Sequence, residues 1–158
     1  MTDEQNAAAG RNAEADGERG YGLQRIYIKD LSFEAPKTPE VFEGDWQPSL
    51  NVNIGTKTRS VGDDLHEVVV SVNVEARNGE EVVFLVELHQ AGVFVIRGFE
   101  EEEKKKILAI LCPQNLFPFA RETVASLTLK GGFPQVLLQP VNFERAFFQS
   151  QQQTAGEA

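Results

Sequence analysis

Residues 65–97 limit the possible folds of this chain more than any other stretch. Val68, Val70, Val72 and Val74 alternate with Glu67, Ser71, Asn73 and Glu75, the two-residue period of a strand with one buried face and one wet face. Asn78-Gly79 follows, a strong hairpin signal, so the next strand must return antiparallel beside the first. It returns as EEVVFLVELHQAGVFVIR, residues 80–97, with Val82, Phe84, Val86 and Leu88 on one side and Val83, Leu85, Val93 and Val95 on the other. A single layer of helices buries only one face of such a sheet, and too little helix follows for two layers. An oligomer covering the second face is the expectation.

Two more strands precede this hairpin. Pro48 to Arg59 alternates cleanly, with Leu50, Val52 and Ile54 opposite Asn51, Asn53 and Lys57. Between Tyr21 and Glu34 the apolar positions change parity twice, from Tyr21 and Leu23 to Ile26 and Ile28 and then to Leu31 and Phe33, which predicts bulges. After Gly98 the period turns helical. Acidic Glu100 to Glu103 open a short amphipathic helix expected to end before Pro113. A second helix is expected from about Pro118 to Gly131-Gly132, then an extended link FPQVLLQP, then a third helix capped by Asn142. Four strands followed by helices give an α+β fold.

At 158 residues the chain suits one domain, read here as residues 21–150, with a polar acidic arm over 1–20 and a polar tail over 151–158 expected to be disordered. The formal charge of -9 and the lack of a basic cluster not neutralised by adjacent acids argue against nucleic acid as a partner. No apolar run of membrane-spanning length and no leader pattern is present, so cytoplasmic residence without membrane insertion is the expectation.

Catalytic candidates are sparse. No GxxxxGK[ST] or GxGxxG loop occurs, so no nucleotide cofactor is expected. His66 and His89, with Glu67 or Glu87, could hold a metal, but histidines separated by a hairpin are more often solvated or hydrogen-bonded. Cys112 could be a nucleophile only beside a histidine, and a small buried hydrophobe is the better reading. No enzyme, no metal and no cofactor are expected. Asp63-Asp64 reads as a turn.

The segment 29–48 raises a different question. Pro36, Pro39 and Gly44 keep it irregular, yet it carries Val41, Phe42 and Trp46. Further rings stand near later chain breaks at Phe99, Phe117, Phe119 and Phe133. Such rings either plug the core or line an apolar groove of adjustable shape.

The strings RIYIKDLSFEAP (25–36), DWQP (45–48), CPQNLFPFARE (112–122) and FPQVLLQPVNFERAFF (133–148) closely resemble the bacterial protein-export chaperone family SecB, over roughly Gln24 to Gln152. The resemblance implies a four-stranded antiparallel sheet packed with C-terminal helices, assembled as a homotetramer that is a dimer of dimers. It implies ATP-independent binding of unfolded preproteins and their delivery to the motor ATPase SecA. Val41, Phe42 and Trp46 would belong to the substrate groove, with Phe99, Phe117 and Phe119 as further lining. Val86, Leu88 and Gln90 would make contacts between dimers. Asp30, Glu34, Leu85 and Glu87 would receive the basic, zinc-containing tail of SecA. The alternative is an oligomeric peptide-binding or anti-aggregation chaperone outside the export pathway.

Overall fold

A computed structural model describes residues 19–45 and 47–156. The arm over residues 1–18 and the Trp46 side chain lie outside the described residues. Four strands form one antiparallel sheet: β1 (Gly20–Glu34), β2 (Ser49–Gly62), β3 (Leu65–Asn78) and β4 (Glu81–Arg97), in the spatial order β1-β4-β3-β2. The crossover from β1 to β2 therefore carries the chain from one edge to the other, through a single 3-10 turn at Glu40–Glu43.

The expected bulges lie where the apolar parity changes. The β1–β4 register shifts between Leu23 and Arg25 and again between Ile28 and Asp30. Each shift skips one residue, so Tyr21, Leu23, Ile26, Ile28, Leu31 and Phe33 all stay on the same side as Phe94, Leu88 and Val86. The β3–β4 turn is displaced by one residue from the Asn78-Gly79 reading. Asn78 pairs with Glu81, leaving Gly79 and Glu80 as the loop, and Gly79 takes the positive φ of 62° that a two-residue hairpin requires at its first position. The turn expected at Asp63-Asp64 links β2 to β3, with Asp64 at φ 58°.

The two helices expected on either side of Pro113 and Pro118 are continuous in the structure. Helix α1 (Glu101–Lys106) runs through a widened turn at Ile107–Leu111 into α2 (Cys112–Lys130). In that turn Cys112 N–H donates to Ile107 O, five residues back, directly before Pro113, which has no N–H to give. A mid-helix proline costs about 3 kcal/mol. Burial of Cys112, Leu116, Phe117, Ala120 and Val124 against the sheet outweighs it, since each large side chain contributes about 1.5–3 kcal/mol. Helix α3 (Phe143–Gly156) begins at the predicted cap, with Arg145 N–H donating to Asn142 Oδ1 at 2.9 Å. It continues through residues 151–156, where a loose tail was expected.

Helix α2 lies across β3 and β4. The core between them holds Val68, Val70, Val72, Val74, Val86, Leu88 and Phe94 from the sheet with Leu116 and Val124 from the helix. This corrects the expectation for Val86, Leu88 and Gln90. They are 0%, 0% and 3% exposed in the single chain, beneath its own helix, and offer no surface to a second copy. Their parity was read correctly; the face belongs to the core.

Candidate functional site: an apolar trough and an acidic sheet face

The even-numbered residues of β2 point toward the helix side, since Leu50, Val52 and Ile54 pair with Ala76, Val74 and Val72. Because β2 is an edge strand and α2 lies chiefly across β3 and β4, no helix covers them fully. Leu50 and Val52 remain 48% and 40% exposed. The facing wall is the extended segment 133–142. Gly132, at φ 88°, turns the chain out of α2, and Phe133 N–H donates to Thr128 O at 3.1 Å. The fully buried Thr128 hydroxyl then accepts from Val136 N–H at 3.1 Å and donates back to Val124 O and Ala125 O. Beyond that anchor the segment alternates, with Val136 and Leu138 buried and Leu137 62% exposed.

Between the two walls lies a cavity of about 450 Å³ bounded by Leu50, Val52, Ile54, Val136, Leu137 and Val141. Two further hollows continue it along β2, of about 230 Å³ between Ile54 and Phe147 and about 270 Å³ between Thr58 and Leu108. They share Ile54, Val141, Thr56 and Phe147, so the three form one trough beside the edge strand. Its lining is mostly apolar, and β2 forms one of its walls.

The rings singled out in the sequence divide. Val41 packs half-buried on the core, and Phe42, 49% exposed, lies 5.3 Å from the Phe133 ring where the trough wall begins. Phe99 is half-buried next to Arg19, at the edge opposite β2. Phe117 is a correction: it is 5% exposed, edge-on to Phe143 at 6.1 Å, and serves the core. Phe119 is 47% exposed on α2, away from the ring contacts around Phe133. Leu50, Val52 and Leu137, which do line the trough, were legible as strand alternation and as the extended LLQP link. Nothing in the sequence said that the two would face each other.

The opposite face of the sheet mixes polar residues with the half-buried Leu85, Val93 and Val95. Asp30 pairs with His89, Ser32 with Glu87 and Glu34 with Leu85, which brings Asp30, Glu34, Leu85 and Glu87 into one patch. Glu75 on β3 lies opposite Leu85 and escaped the sequence reading, so that leucine has a glutamate on each side.

Farther along the same face, Glu67 is 5% exposed and accepts from Tyr27 Oη, from Lys29 Nζ at 2.7 Å and from Arg59 Nε at 2.9 Å. The Lys29 and Tyr27 bonds depress its pKa to about 2 and overcome the opposing effect of burial. Tyr27 moves the other way, to about 12, through burial and the carboxylate beside it.

The catalytic candidates do not assemble. His66 faces the helices and His89 faces outward, because they differ in parity. Among the described residues no group of His, Cys, Asp and Glu has metal-binding geometry. Burial raises the Cys112 thiol to about 12, opposite to what a nucleophile needs. No helix among the described residues is long and apolar enough to cross a membrane.

Comparison with known proteins adds the following. Residues 14–154 match the family model described as preprotein translocase subunit SecB. The chain is 46% identical over 157 residues to the protein-export protein SecB of Pseudomonas fluorescens, covering 99% of this chain and 96% of that one. It is 45% identical over 161 residues to the protein of the same name from Nitrosococcus oceani, covering 99% and 94%. Among solved structures, a SecB-like chaperone of Mycobacterium tuberculosis, in complex with an antitoxin peptide, superposes with a TM-score of 0.63 at 18% identity over 77% of this chain and 90% of that one.

Proposed function

This chain belongs to the SecB family, and from that membership we propose that it is an ATP-independent chaperone that holds unfolded preproteins in a translocation-competent state. The observation that carries this reading is the apolar trough between β2 and the segment after α2. Apolar burial has no direction and contributes about 25 cal/mol per Å², so a trough removing several hundred Å² from water can hold many unrelated segments. The exposed edge of β2 can add main-chain hydrogen bonds that are equally indifferent to sequence. Selectivity then lies in the client's state, because a folded protein hides the segments that would fit.

Substrate capture is assigned to Leu50, Val52 and Leu137 together with Val41 and Phe42, while the outer patch of Asp30, Glu34, Leu85 and Glu87, joined by Glu75, receives the motor SecA. Carboxylates around one leucine suit a basic tail with an apolar contact. The working form is a cytoplasmic homotetramer. The exposed apolar side chains of α2, Phe119 and Leu129, and those of β1, Leu23 and Ile28, supply the surface for assembly. Val86 and Leu88 act on it only by supporting α2 from beneath.

A refolding assay tests the chaperone reading. Without nucleotide, a stoichiometric excess of tetramer should slow the refolding of a denatured preprotein and keep it soluble. An unchanged rate, with the client aggregating as it does alone, would refute it.

A further inference from the structure

The outer sheet face is electrically polarised, and only its acidic end has a role in the reading above. At the other end the register places Arg25, Val93, Glu67 and Arg59 in one row and Tyr27, Ala91, Val69 and Lys57 in the next. Lys29, in the second β1 bulge, joins them through Glu67. Four cations thus surround one carboxylate, which Lys29 and Arg59 already engage. Arg25 and Lys57 are exposed and form no ion pair among the described residues. Asp64, at the tip of the β2–β3 turn, pairs with Arg97. An overall acidic chain therefore keeps an unneutralised basic patch beside half-exposed Val93 and Tyr27.

We propose that this basic end is the docking site of the chain's own N-terminal arm, residues 1–18. The arm carries Asp3, Glu4, Glu14, Asp16 and Glu18 against a single arginine, Arg11, and has few side chains other than small or polar ones. Its origin is fixed at the right end of the sheet. Arg19 is 3.9 Å from Glu103 and stacks over Phe99, and Gly20 pairs with Arg97 at the start of β1.

From there Arg25 is about 17 Å along the strand, and β2 about 15 Å across the sheet, at 3.3 Å per residue and 4.8 Å per strand. Eighteen residues can span at most about 60 Å. The patch is well within reach, at an effective concentration on the order of millimolar. No separate acidic peptide at cellular concentration has that advantage. An arm docked there competes with other polyanions for the same cations. This inference does not depend on what docks at the acidic end.

The full-length chain can be tested with a nitroxide on Ala9→Cys, since Cys112 is fully buried. At about 20 mM salt the amides of Arg25, Tyr27, Lys57 and Arg59 should broaden while those of Ser32 and Asn51 do not, and the effect should fade by about 0.5 M salt. Arg25→Glu with Lys57→Glu should abolish it. Broadening of unlabelled chains mixed with labelled ones would place the arm on a neighbour and overturn the assignment. Absence of broadening, or broadening indifferent to salt and to the charge reversals, would overturn it as well.

A second readout uses a short poly-glutamate probe. Neutralising the arm (Asp3→Asn, Glu4→Gln, Glu14→Gln, Asp16→Asn, Glu18→Gln) should tighten probe binding about tenfold, as expected if the arm covers the patch about nine-tenths of the time. Equal probe affinity with and without the arm's charges would show that the patch is not covered.

Discussion

Glu67 illustrates how a single residue can resist its own sequence pattern. Its parity puts it on the polar face of β3, where the alternation marks it as solvated, yet it is nearly buried because Lys29, Tyr27 and Arg59 converge on it from β1 and β2. Those partners lie 38, 40 and 8 residues away, so no local pattern could have announced the cluster. A carboxylate whose folded pKa is depressed adds stability that is complete above its unfolded value, near 4.5, and is lost as pH falls toward about 2. Glu67→Gln should therefore cost about 1.5–3 kcal/mol at neutral pH, the range for hydrogen bonds to a charged group. The gap from the parent chain in urea denaturation should close between pH 4.5 and 2. A gap independent of pH would mean that the ionised carboxylate is not what the three donors hold.

Among the elements, the strands were more legible than the helices. The double parity change in β1 reported both bulges, because a buried face leaves no other way to keep six apolar residues on one side. Local proline chemistry suggested two helices around Pro113 and Pro118, whereas the stripe Cys112, Leu116, Ala120 and Val124 packs as one, and the widened turn accommodates the first proline. The link after α2 read as extended, but its role as a wall depends on Thr128, a buried hydroxyl in the last turn of α2 whose partner Val136 lies eight residues on. Thr128→Val keeps the shape and leaves the Val136 N–H without a partner, at about 1–3 kcal/mol. Exchange of the Val136 amide should accelerate, and client affinity should fall about fivefold, the equivalent of about 1 kcal/mol at the lower end of that range. An unaltered amide and unaltered affinity would show that the wall is held by other contacts.

In the whole molecule, the proposed functions fall on the two faces of one sheet: an apolar trough on the helix side at the β2 edge, and an outer face whose acidic end lies at β1 and β4. The acidic patch was readable because parity within β1 and β4 is local, and only their adjacency was missing. The trough was not, because it joins residues near 50 to residues near 137 across a crossover. If the faces are separate, Asp30→Lys with Glu87→Lys should weaken SecA binding and reduce its salt sensitivity while client binding and tetramer mass stay unchanged. Equal loss of client binding would join the two surfaces. Photocrosslinking of an unfolded preprotein to benzophenone groups placed singly at Leu50, Leu137 and Asn73 tests the division most directly. The expected result is client adducts from Leu50 and Leu137 and none from Asn73 on the outer face; adducts from Asn73 alone, with the client still held, would contradict it.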